Sequence, residues 1–307
     1  MVQKILLANP RGFCAGVERA IKIVELALDK FKGPIYVNHE IVHNRTVVEA
    51  FRSQGVIFSD DLDQIPPGSI YIFSAHGVAP SFRKKAESLD LKLIDATCPL
   101  VTKVHWEAQK FSGEGFKIFY IGQKSHQEAI GVTDVANMIL IETIKDVEKV
   151  EPENYRDQPT VVLTQTTLSV DDTEYLIKAL RAKIPHLTEP GDLCYATTNR
   201  QDAVKVIAEA SDFVMVMGSE NSSNSKKLAL TATKYGAESE LFDTVDQIPE
   251  NLFDHEIIGL TSGASVPDKL VQEVLVKAQA HSPKVRIEII TTKDESGLRF
   301  PLPKEVL

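Results

Sequence analysis

Apolar residues recur along this chain in short, nearly unbroken runs, most of them ending in a polar loop. Such runs are Ile5-Leu6-Leu7-Ala8, Pro34-Ile35-Tyr36-Val37, Ile70-Tyr71-Ile72-Phe73, Leu91-Lys92-Leu93-Ile94, Ile118-Phe119-Tyr120-Ile121, Val161-Val162-Leu163, Phe213-Val214-Met215-Val216-Met217 and Ile257-Ile258-Gly259-Leu260. Runs of this length without alternation read as strands. Elsewhere the apolar positions step by three and four, as in Val17, Ile21, Val24 and Leu28, in Val101, Val104, Ala108 and Phe111, and in Ala203, Val204, Ile207 and Ala208. That spacing predicts helices. Strand, loop and helix repeated in this way predict an α/β fold of parallel units. Ligands of such sheets bind at the carboxyl ends of the strands.

Composition changes this picture little. The chain has 307 residues, 43% hydrophobic and 25% charged, which fits a globular protein, and its length alone suggests about two domains. A net charge of −9 and the lack of a basic stripe argue against a nucleic-acid partner. No apolar run is long enough for a membrane helix, and Met1 to Pro10 reads as a first strand rather than a signal or transit peptide. No membrane association is expected, and the cytoplasm is the expected location.

The cysteines change it more. There are three, Cys14, Cys98 and Cys194, an odd number with no CxxC pair, which argues against a disulfide framework, a zinc ribbon or a thioredoxin motif. Each is followed by one of the three helical patterns. Cys14 and Cys98 follow strand-like runs, while Pro190-Gly191-Asp192-Leu193 before Cys194 reads as a turn. A helix N-terminus favours a thiolate, which is what a soft metal requires. Between and after the cysteines, six polar loops follow strand-like runs. They carry His43-Asn44, Ser74-Ala75-His76-Gly77, His126-Gln127-Glu128, Gln165-Thr166-Thr167, Ser219 to Asn224, and Ser262 to Ser265. The result is a threefold echo with little sequence identity. It places one module at residues 14–97, a second at 98–193, and a third at 194–281 together with residues 1–13. Residues 282–307 are left as a tail with no role beyond packing.

Four segments resemble the 4-hydroxy-3-methylbut-2-enyl diphosphate reductase (IspH/LytB) family. They are Ala8 to Val17, Asp95 to His105, Cys194 to Gln201 and Asn221 to Ser225, and the resemblance extends over nearly the whole chain. Two departures are visible: His126-Gln127-Glu128 stands for His-Pro-Glu, and Thr261-Ser262-Gly263-Ala264-Ser265 for Thr-Ala-Gly-Ala-Ser. The resemblance implies three similar α/β domains in a pseudo-threefold arrangement around a central iron–sulfur cluster. It implies one [4Fe-4S] cluster per chain, held by Cys14, Cys98 and Cys194. Such clusters usually take four thiolates, so one iron would stay open, the mark of a catalytic rather than structural centre.

The same resemblance makes His43, His76 and His126 substrate contacts. Ser222, Ser223, Asn224 and Ser265 join them as an anion cradle at a helix start, without a Walker loop. Glu128 is the expected proton donor, its pKa raised by desolvation and by the anionic substrate. Thr166 relays the proton or holds the substrate hydroxyl. The implied reaction is reductive dehydroxylation of the (E)-4-hydroxy-3-methylbut-2-enyl diphosphate to isopentenyl and dimethylallyl diphosphates, the last step of the methylerythritol phosphate route to isoprenoids. A ferredoxin- or flavodoxin-type electron donor and a monomeric enzyme are expected. From the cysteines alone, a cysteine- or zinc-dependent phosphatase and a non-catalytic iron–sulfur sensor remain open.

Overall fold

The computed structural model describes residues 1–307. In chain order, β1 (Lys4–Asn9) leads to α1 (Ala15–Lys30), β2 (Ile35–Val37), α2 (Arg45–Ser53), β3 (Val56–Phe58), β4 (Ile70–Phe73), α3 (Pro80–Glu87), β5 (Lys92–Asp95) and α4 (Pro99–Gly113). Next come β6 (Lys117–Ile121), α5 (Gln127–Thr133), β7 (Met138–Ile141), α6 (Ile144–Glu148), β8 (Thr160–Thr164) and α7 (Val170–Lys183). The chain closes with α8 (Tyr195–Ala208), β9 (Phe213–Met217), α9 (Ser223–Lys234), β10 (Glu238–Phe242), β11 (Ile257–Ser262), α10 (Asp268–His281) and β12 (Arg286–Thr291). The strands form three sheets, ordered β10-β9-β11-β1-β12, β3-β2-β4-β5 and β7-β6-β8, with every pairing parallel. This is the α/β class that the strand-loop-helix pattern predicts. No helix is long and apolar enough to cross a membrane.

Two units make up the chain. The first comprises Met1–Glu18, Val42–Ala50 and Tyr195–Arg299 and holds the five-stranded sheet. Its inner strands β1, β9 and β11 are mostly apolar because both faces are covered. Ile5 and Leu7 of β1 pack with Met215, Met217 and Leu260 against Val271 and Val274 of α10. Leu6 and Ala8, pointing the other way, pack with Val214 and Val216 against Val204 and Ile207 of α8 and Leu228 of α9. Alternate residues of one strand thus serve two cores.

The tail is not merely packing. Its β12 pairs with β1 over six residues, from Lys4 opposite Arg286 to Asn9 opposite Thr291. Four of the first residues of β12, Arg286 to Ile289, are exposed, so backbone pairing rather than side-chain burial makes this a strand. The pattern of apolar residues therefore could not reveal it.

The second unit comprises Arg19–Ile41, Phe51–Cys194 and Phe300–Leu307 and holds the other two sheets. Helix α4 follows β5 of the four-stranded sheet yet packs on the three-stranded one. There Val104 and Ala108 meet Ile118, Tyr120, Val161 and Leu163, with Ala129 and Val132 of α5. On the opposite face, Phe119, Ile121 and Val162 pack against Leu176, Ile177 and Leu180 of α7. All six polar loops singled out in the sequence follow the carboxyl ends of strands: β2, β4, β6, β8, β9 and β11.

Candidate active site

Each cysteine stands immediately before the first residue of a helix: Cys14 before α1, Cys98 before α4 and Cys194 before α8. Pro99 at the first helical position of α4 suits a place where no N–H is needed. No disulfide joins the three cysteines, and all are half-buried. Each also donates its backbone N–H to a carbonyl in one of the polar loops. Cys14 bonds Ala264 at 3.1 Å, Cys98 bonds Ala75 at 3.0 Å and Cys194 bonds Thr166 at 3.1 Å. The echo seen in the sequence thus reappears as one hydrogen bond repeated three times, linking each cysteine to a loop with another candidate residue.

In the first unit these bonds gather one group of candidates. Ser265, next to the Ala264 acceptor, donates to the His43 carbonyl at 2.9 Å. The Arg45 amide donates to Ser219 at 3.2 Å, tying the His43 loop to the loop after β9. Ser222 caps α9, accepting from the Ser225 amide at 3.3 Å and from its hydroxyl at 3.1 Å. A Cβ on Gly263 would lie 2.1 Å from the Ser225 hydroxyl oxygen, so only glycine lets this loop approach the start of α9. The Ser223 hydroxyl and both polar atoms of the Asn224 amide are buried with no hydrogen-bond partner. Buried polar groups are normally satisfied. Three such atoms at a helix start, where N–H groups also converge, form a cradle suited to an oxygen-rich anion.

In the second unit the remaining candidates form another connected group. The rings of His76 and His126 meet edge to face, centroids 6.1 Å apart. His126 caps α5, its Nδ1 accepting from the Glu128 amide at 3.2 Å. Gln127, at the first position of α5, occupies a place where proline is equally suited, so this departure leaves the helix start intact. The Glu128 carboxyl is buried and takes two bonds from Thr166, from its amide at 2.8 Å and its hydroxyl at 2.9 Å. Burial pushes Glu128 up to about 7, against the two Thr166 bonds, which favour the charged form; Asp192 adds to the rise. A carboxyl titrating near 7 can deliver a proton at neutral pH. Through Thr166, whose carbonyl receives the Cys194 amide, this acid is one residue away from a cysteine.

Several positioning residues escaped the sequence reading. Asp95 accepts the Thr97 amide at 2.9 Å in a turn that presents Cys98. Burial raises the Asp95 pKa, but the Thr97 bond and Arg83 outweigh it and hold the carboxylate low. Arg19 donates to the carbonyls of Thr97 and Asp95, at 3.0 and 3.3 Å. Asp192 takes the Thr164 amide at 3.2 Å and the Lys103 ammonium at 2.8 Å, fixing the turn before Cys194. His105 is a spacer. A Cβ on Gly77 or Gly131 would lie 3.3 Å from its Nε2, and burial lowers its pKa to about 4, so it is neutral. The second departure is also accounted for: the Ser262 hydroxyl accepts the Gly12 amide at 2.9 Å, just before Cys14. Asp95 and His105 lie in a segment around Cys98, Asp192 in the turn before Cys194 and Ser262 in one of the six polar loops, but nothing local in the sequence marks Arg19.

A family model described as LytB protein matches residues 5–279. This chain belongs to that family. A relative from Histophilus somni (strain 2336) is 46% identical, covering 99% of this chain and 98% of its own length. One from Haemophilus influenzae (strain PittGG) shows the same identity and coverage. Both carry the name 4-hydroxy-3-methylbut-2-enyl diphosphate reductase. Among solved structures, the E-1-hydroxy-2-methyl-but-2-enyl-4-diphosphate reductase from Plasmodium falciparum is similar with a TM-score of 0.96 and 38% identity, covering 100% of this chain and 97% of that one. A second, described as (E)-4-hydroxy-3-methyl-but-2-enyl diphosphate reductase, the terminal enzyme of the non-mevalonate pathway, has a TM-score of 0.66 and 28% identity. It covers 91% of this chain and 100% of its own.

For this LytB chain the donor set fits an iron–sulfur cluster. Three thiols at helix starts, uncommitted to disulfides, are soft ligands of the kind such clusters take.

Proposed function

We propose that this chain reduces (E)-4-hydroxy-3-methylbut-2-enyl diphosphate to isopentenyl and dimethylallyl diphosphates, the terminal step of the non-mevalonate pathway. The observation that carries the reading is the buried Glu128–Thr166 pair, a proton donor titrating near 7 whose partner also holds the backbone of Cys194. The reductase name of the full-length relatives supports it.

Cys14, Cys98 and Cys194 would hold one [4Fe-4S] cluster, leaving one iron without a protein ligand. When bound, the cluster supplies electrons one at a time and a Lewis-acidic iron. Everything else falls to the chain. His43, His76 and His126 donate hydrogen bonds to the substrate, and Ser222, Ser223, Asn224 and Ser265 cradle the diphosphate. The unpartnered Ser223 and Asn224 atoms support that assignment. Glu128 protonates the departing hydroxyl, which leaves as water, and Thr166 holds the acid in place. Two electrons and two protons balance the exchange of the C–O bond for a C–H bond, one proton going to the water and one to the allylic carbon. A ferredoxin- or flavodoxin-type donor delivers the electrons, and a monomer suffices.

Anaerobic purification, iron and sulfide analysis, and turnover with reduced viologen test this reading. About four irons per chain and conversion of the allylic diphosphate are expected. An iron-free protein, or a cluster-bearing one that leaves the substrate unchanged, refutes it.

A further inference from the structure

Arg200, on α8, is the largest side chain fully buried in the protein. A guanidinium in such a place is expensive to desolvate unless every donor is used. Here the donors converge on the loop before Cys14. Nε and Nη2 both donate to the Gly12 carbonyl, at 3.2 and 2.8 Å, and Nη2 reaches the Phe13 carbonyl at 3.5 Å. Nη1 donates to the Ala196 carbonyl at 3.0 Å and to both Glu295 oxygens, at 3.2 and 3.1 Å. Glu295, its side chain 12% exposed, also accepts from the Asn199 amide at 2.9 Å.

The same loop is held from its other side. The Gly12 amide donates to Ser262 at 2.9 Å and the Cys14 amide to the Ala264 carbonyl at 3.1 Å. Gly12 has φ +65°, and a Cβ there would lie 3.3 Å from the Val266 carbonyl, so the turn admits no ordinary side chain. Its amide and carbonyl, the Phe13 carbonyl and the Cys14 amide are therefore all bonded to partners distant in the chain.

We propose that Arg200 and Glu295 form a buried ion pair that positions Cys14 as a cluster ligand and sets the charge around it. Arg200 grips the peptide carbonyls two residues and one residue before the sulfur-bearing residue. Glu295, from the segment after β12, neutralises and aims the guanidinium. This gives the C-terminal segment a part in the redox centre. The inference rests on Cys14 being a cluster ligand, as in the reading above. Partners behind a ligand tune a metal centre's retention and potential without touching substrate.

The test uses the full-length, anaerobically prepared cluster-bearing protein and three readouts. These are the rate of iron loss to a ferrous chelator, the midpoint potential from an electron paramagnetic resonance titration, and thermal unfolding after iron removal. Glu295→Gln removes one negative charge at nearly constant volume; Arg200→Lys keeps the charge but not the two-donor grip on Gly12. Both are expected to lose iron about 10- to 100-fold faster. Glu295→Gln should also shift the potential to more positive values, because the Arg200 charge is then uncompensated, and Arg200→Lys should leave it near wild type. Wild-type iron retention together with an unshifted potential in Glu295→Gln overturns the proposal. A purely structural pair would lower the unfolding temperature and leave the potential of Glu295→Gln in place. If Arg200→Lys does not fold, Glu295→Gln decides alone. A wild-type protein that binds no cluster defeats the functional reading, whereas a cluster-bearing wild type indistinguishable from Glu295→Gln defeats only this inference.

Discussion

Replacing Thr166 by valine removes one of the two bonds that Thr166 gives Glu128, the hydroxyl bond at 2.9 Å, and leaves the amide bond at 2.8 Å. Both bonds favour the charged carboxylate, while burial favours the neutral acid and wins, holding Glu128 up at about 7. A hydrogen bond to a charged group contributes about 1.5–3 kcal/mol. One pKa unit corresponds to about 1.4 kcal/mol. Loss of the hydroxyl bond should therefore raise Glu128 by about one to two units. The sign for activity follows from the role. The protonated acid is the competent form, so kcat/KM should fall as pH climbs past the folded-state value. In the wild type that limb lies near pH 7, and at pH 8 only about a tenth of the acid keeps its proton. Thr166→Val should carry the limb to about pH 8–9, whatever its effect on the maximal rate. The assay is the pH profile of kcat/KM with reduced viologen as donor. Glu128→Gln is the companion variant; it should abolish the limb and slow turnover by a factor of about 100 or more. A limb that stays near pH 7 or moves to lower pH in Thr166→Val refutes the assignment of Glu128 as the titrating donor.

Cys98→Ser should remove iron and acid-labile sulfide together with activity; a full complement of iron in this variant contradicts the thiolate role. Asn224→Ala removes a buried amide that has no partner within the protein. If that amide binds the diphosphate, KM should rise by about tenfold to a hundredfold, the scale of a bond to a charged group, and an unchanged KM reassigns the cradle. Glu107 is pushed up to about 7, chiefly by burial and then by its shared hydrogen bond with Asp192, while Lys103 opposes the rise. From about pH 4.5 to 7 the native state therefore keeps a proton that the unfolded chain has lost, and stability falls as pH rises. Glu107→Gln should flatten that fall in iron-free protein unfolded by urea at pH 5 and pH 8. Glu128 leaves part of the slope, because its pKa is raised in the same direction. Identical slopes for variant and wild type would exclude Glu107 as a source.

The strands with both faces covered were legible in the sequence. β1, β4, β6, β9 and β11 are spelled out in consecutive apolar residues because a helix or loop lies on each side. The helix starts at the three cysteines were legible too, since periodicity and the preceding turn are local. The edge strands β3, β7, β10 and β12 were not. Ile287 and Ile289 of β12 remain exposed, and β10 alternates polar residues with partly covered ones. Such segments become strands through backbone pairing with a neighbour far away in the chain.

The site divides in the same way. Cysteines, histidines and the serine-rich loop announce themselves by residue type, and their places after strands and before helices follow from the local pattern. That Glu128 holds its proton near pH 7 depends on Thr166, 38 residues on, and on burial that no neighbour in the chain dictates. Arg200 reads as an ordinary polar helix residue until Glu295, 95 residues away, and the Gly12 carbonyl close around it. Backbone conformation answers mainly to adjacent residues, so the sequence alone determined the covered strands, the helix starts at the cysteines and the donor set. Desolvation and hydrogen bonding act through space, so only the tertiary structure decided which charged groups are buried, what each one holds, and at what pH they change.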